Sequence, residues 1–464
     1  MTSRGALPRL MNEIRRAFAS GSAEDMKSRV ARGAAGSFML KVIAAGLSFI
    51  TGVLLARLLG AEGVGIYAYA TAWVTLLSGP SLMGLDKLVV REVAVFEKQR
   101  QWGSLKRMLS WSNMLVLGTS ILIVCAAAAV GWFISAEEPI RLHAFWVALL
   151  LLPLGSVTRL RQSALRGLHK VTTGQAPEML VQPAIVILCL VTFVYLGRTN
   201  MTAVHALWIN IAATTTAFFF GTVVLYRSLP NEAKTAQPDP TNPAWIRSAV
   251  PLMLLTVLQI LNTKLDILML GSMVGTKETG IYSVANRGAG LITYVLVAVN
   301  AALGPAIASL NVSHDRQRLQ RMITKSSRIV LLISLPACVG LIVFGGFFLR
   351  IFGQEFVSGR AALSILCLGQ LFSAAMGSVN LLLIMTGHER DAVITLGGST
   401  ILNAALNLLL IPRWGIEGAA IASTASIVMR NAVAGFFAYR RLQIHSTALG
   451  PIGKSRSSCP PEAR

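Results

Sequence analysis

Five charged residues lie inside long apolar stretches of the sequence, where charge is rare. Four are basic and one is acidic: Lys41, Lys264, Arg287 and Arg430, and Asp266. A charged side chain at the centre of a bilayer costs roughly 3 kcal/mol on insertion scales, so such residues are functional candidates. Basic groups around a cavity favour an anionic ligand such as a pyrophosphate. We therefore expect the four basic residues to bind an anion.

Uncharged polar residues follow the same stretches at helical spacing. Residues three, four or seven positions apart lie on one face of a helix. On this basis five residues form a candidate polar stripe: Gln259, Asn262, Asn286, Asn403 and Asn407. Amide side chains of this kind also join helices by hydrogen bonds without binding a ligand. Lys41 has a simpler interpretation too, because a long basic side chain can snorkel to the membrane surface.

The elements that must position these residues are apolar helices. Hydrophobic residues make up 54% of the 464 positions and charged residues 13%, whereas charged residues are about 25% of a typical soluble protein. The apolar runs exceed about 18 residues, which is typical of transmembrane helices. This excludes a soluble or disordered chain. The five cysteines have no metal-ligand spacing and no phosphate-binding loop is present, so we expect no metal, no cofactor and no ATPase activity.

Twelve runs of about 20 apolar residues predict twelve transmembrane helices. With the N-terminus inside, 31 of the 42 Lys and Arg residues fall in inside segments and seven in outside loops. Basic residues are enriched in cytoplasmic loops, so both termini are expected in the cytoplasm and no nucleic-acid partner is needed to explain the net charge of +22. The predicted organisation is a basic leader (1–34), an N-lobe (35–226), a linker (227–244), a C-lobe (245–439) and a tail (440–464).

An internal repeat relates the two predicted lobes. Residues 60–67 read Gly-Ala-Glu-Gly-Val-Gly-Ile-Tyr, and residues 275–282, offset by 215 positions, read Gly-Thr-Lys-Glu-Thr-Gly-Ile-Tyr. Each copy follows the first predicted helix of a six-helix half. Because six is even, both halves insert in the same orientation and are related by a pseudo-two-fold axis along the membrane normal. This arrangement is typical of alternating-access transporters, and in such a protein we expect Asp266 to couple transport to protons or Na⁺.

Three stretches resemble a known family. Residues 403–422, at the junction of the last two predicted helices, are similar to that junction in polysaccharide flippases. Residues 55–93 resemble the family's first helices through Arg57-Leu-Leu-Gly60, Gly84-Leu-Asp86 and Val90-Arg91-Glu92. The third stretch runs from Asp266 to Tyr282. Together they identify residues 35–440 as similar to the Wzx-type branch of the multidrug/oligosaccharidyl-lipid/polysaccharide (MOP) exporter superfamily.

The resemblance implies an all-α, MATE-like membrane protein with twelve helices in two lobes. It implies a flippase that turns undecaprenyl-pyrophosphate-linked oligosaccharide repeat units across the bacterial inner membrane, for lipopolysaccharide or exopolysaccharide synthesis. Its partners would be the lipid-linked oligosaccharide, membrane lipids and the polysaccharide polymerase or export machinery. The polar residues named above are carried over as candidates, because the family has no short catalytic signature.

Other functions remain open at this level. A MATE-type multidrug or cation antiporter shares the twelve-helix plan, although its cationic substrates favour acidic cavities. A lipid II flippase of the superfamily usually resembles a fourteen-helix chain. A membrane glycosyltransferase or polymerase is disfavoured because no outside loop is long enough for its domain. A duplicated scaffold without transport activity is the remaining alternative.

Overall fold

The computed structural model describes residues 26–134, 139–197, 200–237, 245–313, 315–448 and 450. Within these ranges the chain is helical and has no strand. A π-helical turn (Pro177–Val181) precedes the seventh helix, and a 3₁₀-helical segment (Gln354–Gly359) precedes the fourteenth. The α-helices in chain order are α1 (Met26–Leu82), α2 (Leu85–Gln99), α3 (Trp102–Ile134), α4 (Pro139–Leu149), α5 (Leu151–Gly167), α6 (Val171–Ala176), α7 (Gln182–Tyr195), α8 (Ala203–Ser228), α9 (Asn231–Thr235), α10 (Trp245–Met273), α11 (Thr276–Val312), α12 (Arg316–Val343), α13 (Gly345–Phe352), α14 (Arg360–Met376), α15 (Val379–Met385) and α16 (Glu389–Leu442).

Ten segments in the described ranges are long and apolar enough to cross a membrane. The first and last, Met39–Leu82 and Glu389–Leu442, are 44 and 54 residues long, about twice what one crossing needs. Each is interrupted by a glycine with positive φ, 67° at Gly60 and 50° at Gly415. A chain reversal at each glycine would make two crossings of each long segment. The count of twelve helices remains a prediction.

The described residues form two compact units. Unit 1 contains the residues up to Val284 and the segment Leu349–Ser358, and unit 2 contains Ala285–Phe348 and the residues from Gly359 onward. Unit 1 therefore includes α1 to α10 and the first two turns of α11. The lobes predicted from the repeat, 35–226 and 245–439, and the pseudo-two-fold axis between them remain predictions.

Each unit has an apolar core and an apolar outer surface. In unit 1 a buried cluster around Leu85, Leu88, Leu105 and Leu160 joins α2, α3 and α5. A cluster in unit 2 joins α11, α12, α15 and α16. Large apolar side chains are nevertheless exposed along the spans, including Leu122, Leu188, Phe219, Leu332 and Ile401. Helices that are apolar both inside and outside are typical of lipid-facing bundles.

Parts of the predicted ends lie outside the described residues. Residues 1–25 of the predicted leader are among them. α1 begins at Met26, within the predicted leader. The last helix, α16, ends at Leu442, within the predicted tail. The structure also describes residues 443–448 and 450 of that tail.

Candidate functional site

The predicted coupling residue Asp266 is buried on α10. Its side chain is 8% exposed, and its Oδ2 accepts a hydrogen bond of 2.7 Å from the hydroxyl of the fully buried Tyr282. Tyr282 is the last residue of the second repeat copy. A buried carboxylate needs such a donor, because removing it from water without one is costly. The fold therefore joins the candidate acid to the repeat within unit 1.

The two repeat copies touch each other at their glycines. A Cβ atom built on Gly65 would lie 1.6 Å from the carbonyl oxygen of Thr276, and one built on Gly280 would lie 1.9 Å from the carbonyl oxygen of Ala61. Either contact is far shorter than packed heavy atoms permit. The backbones can approach this closely only because both positions are glycine.

The segment Leu349–Ser358 of unit 1, which comprises the end of α13 and most of the 3₁₀-helical segment, binds to the same region. Oε2 of Glu355 accepts a hydrogen bond of 2.9 Å from the backbone N–H of Ala61, just after the non-helical Gly60. Nε of Arg57 donates to the carbonyl oxygen of Ile351 at 2.8 Å. A carboxylate at the start of a helix satisfies a free N–H group and complements the helix dipole. The first repeat copy is thus held from two sides.

A basic row in unit 1 was missed by the sequence prediction. Arg159, Gln162 and Arg166 lie on one face of α5 at the spacing i, i+3, i+7. Nη1 of Arg159 donates to Oγ of Ser78 at 3.0 Å, and Nη2 of Arg166 donates to Oε1 of Gln162. Arg159 and Arg166 are among the 31 basic residues that the predicted topology assigns to inside segments. Their spacing, the same as that of Gln259, Asn262 and Asp266, was the signal that could have identified them.

One acidic residue from a neighbouring element lies close to this basic row. Glu178 lies on the π-helical turn and is attracted electrostatically by Arg159 and Arg166. Together with Arg161 and Gln162 it lines a cavity of about 10 Å³, which is enough for one water molecule. The guanidinium of Arg161 stacks 3.7 Å from the ring centroid of Phe218. π-Turns are frequent at functional sites, and this one places an acid among three arginines.

An uncharged network completes the polar interior of unit 1. Nε2 of Gln182 donates to Oδ1 of Asn210 at 3.0 Å and to Oγ1 of Thr214 at 2.9 Å. Nδ2 of Asn210 donates to the hydroxyl of Tyr67 at 2.8 Å. Tyr67 ends the first repeat copy as Tyr282 ends the second. Both repeat tyrosines therefore hold polar side chains inside unit 1.

The remaining predicted residues are distributed over both units. In unit 2, Asn403 and Asn407 are buried, and Nδ2 of Asn407 donates to Oδ1 of Asn403 at 3.1 Å. The exposed or partly buried candidates are Lys41 on α1, Gln259, Asn262 and Lys264 on α10, Asn286 and Arg287 on α11, and Arg430 on α16. The structure thus brings together Asp266 with Tyr282 and Asn403 with Asn407. That these residues bind substrate remains a prediction.

Comparisons with known proteins bear on the family and the fold. Residues 30–311 match the family model described as polysaccharide biosynthesis protein, and residues 251–409 match the MatE model. The chain is 29% identical to the probable flippase AglR of Haloferax volcanii over 181 residues, which cover 37% of this chain and 36% of AglR. The match therefore spans about a third of the length of this curated relative.

Two solved structures share the fold. An inward-facing multidrug resistance MATE family transporter of the MOP superfamily aligns with a TM-score of 0.73 and 13% identity, covering 86% of this chain and 94% of that chain. The lipid II flippase MurJ in its inward closed conformation aligns with a TM-score of 0.66 and 13% identity, covering 87% and 86%. The predicted MATE-like, all-α membrane fold is confirmed. The chain belongs to the polysaccharide biosynthesis protein family and has the fold of the MOP-superfamily transporters.

Proposed function

We propose that this protein is a flippase that moves undecaprenyl-pyrophosphate-linked oligosaccharide repeat units across the bacterial inner membrane for surface polysaccharide biosynthesis. The family match and the similarity to AglR, a probable flippase, support transport of a glycan carrier. The observation that carries the proposal is the basic row on α5, in which Arg159 and Arg166 are held by polar neighbours within a candidate span.

The chemistry of the row suits a diphosphate. A guanidinium presents a planar set of donors that matches phosphate oxygens, and charge-assisted hydrogen bonds strengthen where water is scarce. Ser78 and Gln162 fix the two guanidinium groups before substrate arrives, which lowers the entropy cost of binding. The predicted cations Lys41, Lys264, Arg287 and Arg430 would receive the headgroup in later steps. The prenyl tail would remain in lipid.

The contact between the repeat copies serves as a closed outer gate in this proposal. On the predicted topology, with both termini in the cytoplasm, residues 58–63 and 272–279 would lie on the outer side. Alternating access requires the outer end to open after the headgroup has entered from the cytoplasm. Opening would separate Gly65 from Gly280 and release Glu355 from Ala61.

Net turnover needs an energy source, because the sequence has no phosphate-binding loop for ATP. We assign coupling to Asp266, whose hydrogen bond from Tyr282 links it to the end of the gate segment. Binding of a proton or Na⁺ at this carboxylate would change that hydrogen bond. Both termini are proposed to be cytoplasmic, with the polysaccharide polymerase or export machinery receiving the product.

A MATE-type multidrug or cation antiporter is the second candidate. The MatE family match over residues 251–409 favours it, and this stretch contains Asp266. A cationic drug would need acidic residues as its counter-charge. The described interior of unit 1 instead places Glu178 among three arginines, which favours an anionic substrate.

The test is complementation of a flippase-deficient strain combined with flipping in proteoliposomes that contain fluorescent undecaprenyl diphosphate. Arg159→Ala and Arg166→Ala are each expected to lower the flipping rate at least tenfold. Arg107→Ala, which removes an exposed arginine from α3, is the matched control and should retain wild-type flipping. Membrane quantity and thermal stability of all three variants are measured in parallel.

The outcome separates the two candidates. Absence of flipping by the wild type, together with export of cationic dyes, would replace the flippase proposal with the antiporter. Undisturbed flipping by both arginine variants would remove the basic row from the mechanism. Accumulation of lipid-linked repeat units on the inner leaflet of a deletion strain is the corresponding result expected in cells.

A further inference from the structure

The residues that follow the last helix, α16, pack against unit 2. Gln443 adopts a left-handed conformation with φ of 57° and turns the chain at the end of α16. Beyond it Ile444, Ser446 and Ala448 are buried at 2%, 2% and 6% exposure, whereas His445 is exposed. This alternation is typical of an extended segment with one face inward. We call residues 443–448 and 450 the strap.

Side chains of α12 hold one edge of the strap. The amide of Gln320 pairs with the backbone of His445: Nε2 donates to the His445 carbonyl oxygen at 2.6 Å and Oε1 accepts from its N–H at 2.7 Å. Oγ of Ser327 donates to the carbonyl oxygen of Ser446 at 2.8 Å. Arg328 donates to the carbonyl oxygens of Ala448 and Gly450, at 2.8 and 3.1 Å. Thus a set of polar side chains replaces the second strand that such a backbone usually requires.

The other edge of the strap lies against a break between two helices. α14 ends at Met376, and Gly377 with φ of 67° separates it from α15. The last carbonyls of a helix have no partner within it. The carbonyl oxygen of Ala375 is such a group, and it accepts a hydrogen bond of 2.9 Å from the N–H of Ala448. The strap therefore connects α12 to the end of α14.

The break also requires a glycine where the three segments meet. A Cβ atom on Gly377 would lie 2.0 Å from Oγ of Ser327 and 3.3 Å from the carbonyl oxygen of Ser446. Gly450 is similarly crowded, since its Cβ would lie 3.0 Å from Oγ1 of Thr324. The strap occupies a groove that is closely fitted to it.

The strap is attached mainly by polar contacts. Ile444 is the only large apolar side chain that the strap buries among its described residues, so hydrogen bonds supply most of the attraction. Each such bond replaces one made with water and contributes little net free energy, while ordering each residue costs conformational entropy. Detachment would break these hydrogen bonds and withdraw Ile444 from the apolar cluster of unit 2, and it would return conformational entropy to the strap.

We propose that the strap is a brace that holds the first turns of α12 against the C-terminal end of α14 and that detaches during each transport cycle. The inference rests on the proposed transport function. Broken helices are the elements that rearrange in many transporters, and a connection across one restrains that rearrangement. Detachment frees the Ala375 carbonyl and the polar side chains of α12, so α14 and α15 can shift against α12.

A reversible cross-link tests this directly. Ala375→Cys and Ala448→Cys are combined in a variant whose five native cysteines are replaced by serine. Backbone atoms 2.9 Å apart place the two Cα atoms within the range that a disulfide spans, about 4.4–6.8 Å. Oxidation is expected to lower flipping of fluorescent undecaprenyl diphosphate at least tenfold, and reduction should restore it. Full flipping by the oxidised pair would overturn the proposal.

The matched control is a cross-link in a static core. Ser81→Cys and Ser156→Cys join α1 to α5, where the two native hydroxyl oxygens are 3.2 Å apart and buried. This pair is expected to keep its flipping rate when oxidised. Each of the four single-cysteine variants should be insensitive to oxidation, so that oxidative damage is distinguished from the cross-link.

Thiol labelling of the strap gives a readout that does not depend on transport. With Ala448→Cys supplying the single cysteine, maleimide reacts slowly while the strap is attached and faster after detachment. Arg328→Ala and Gln320→Ala are expected to raise the labelling rate at least fivefold. If these variants are labelled at the same rate as the protein with the unaltered strap, the strap does not detach and the proposal is wrong. If labelling rises but no variant flips lipid, the proposed flippase function fails while the detachable strap stands.

Discussion

Gly65 and Gly280, the equivalent glycines of the two repeat copies, lie against each other's backbone within unit 1. A Cβ atom on Gly280 would be 2.9 Å from the backbone nitrogen of Gly65, and one on Gly65 would be 3.0 Å from that of Gly280. The contact is reciprocal although the copies are 215 residues apart in the chain. The two copies of the repeat therefore contact each other, and we propose that this contact is the outer gate.

Replacing Gly65 or Gly280 by alanine should weaken that contact. Overpacking a close approach typically costs about 1–3 kcal/mol, so the thermal unfolding midpoint in detergent is expected to fall and flipping to slow. Gly118→Ala is the control, because no atom lies within 4 Å of the added Cβ on α3. Wild-type stability and flipping in both gate variants would contradict the importance of the contact.

Variants of the hydrogen-bonded pair Tyr282 and Asp266 distinguish a structural role of Asp266 from a role in coupling. Tyr282→Phe removes one hydrogen-bond donor from a buried carboxylate and should cost about 1–3 kcal/mol of stability. Asp266→Asn keeps an acceptor for the tyrosine hydroxyl but cannot take up a proton or bind Na⁺ as a carboxylate does. We expect the Asn variant to lose the pH or Na⁺ dependence of flipping, measured in proteoliposomes with imposed gradients. An unchanged dependence would exclude Asp266 as the coupling residue. Tyr195→Phe, at a position that is 90% exposed, is the control for the tyrosine change.

Glu178→Gln should strengthen binding of the diphosphate. When it is ionised, Glu178 is attracted by Arg159 and Arg166, and it would then compete with an incoming anion for the same guanidinium groups. Neutralising it is expected to lower the KM for undecaprenyl diphosphate several-fold. Glu389→Gln, at an exposed position at the start of α16, should leave KM unchanged. A raised KM in Glu178→Gln would mean that the acid positions the arginines instead of competing for them.

Lys87 should make stability depend on pH. Burial lowers the pKa of this lysine, which lies on α2 outside the candidate spans, and neighbouring Asp86 opposes the shift. Nζ of Lys87 is buried without a hydrogen-bond partner among the described residues. Because the folded state favours the neutral amine, the penalty is full below the lowered pKa and is relieved as pH rises towards 10.5.

Lys87→Met is therefore expected to raise the thermal unfolding midpoint at pH 7, with a gain that shrinks at alkaline pH. Lys98→Met, at an exposed position on the same helix, is the control and should change little. A gain in Lys87→Met that does not vary with pH would show that packing, and not the buried charge, is responsible.

The sequence alone was sufficient for the membrane class and the helical fold. Both depend on long apolar runs, which no soluble arrangement can cover with the few charges present. The sequence also identified Asp266 as a buried candidate and placed the repeat copies at matching positions. These properties are local or additive along the chain, so composition and spacing are enough to predict them.

Only the tertiary structure decided which polar groups meet. Spacing places Arg159, Gln162 and Arg166 on one face of α5, but it cannot show that Glu178 from the next span faces them. Nor could it pair Asp266 with Tyr282, bring Gly65 to Gly280, or seat residues of the predicted tail against α12 and α14. Helical periodicity determines the face of a residue, whereas the partner of that face depends on how distant helices pack. Counting charges along the sequence therefore assigns these arginines to the cytoplasmic side, and only the packing of α5 shows that Ser78 and Glu178 lie beside them.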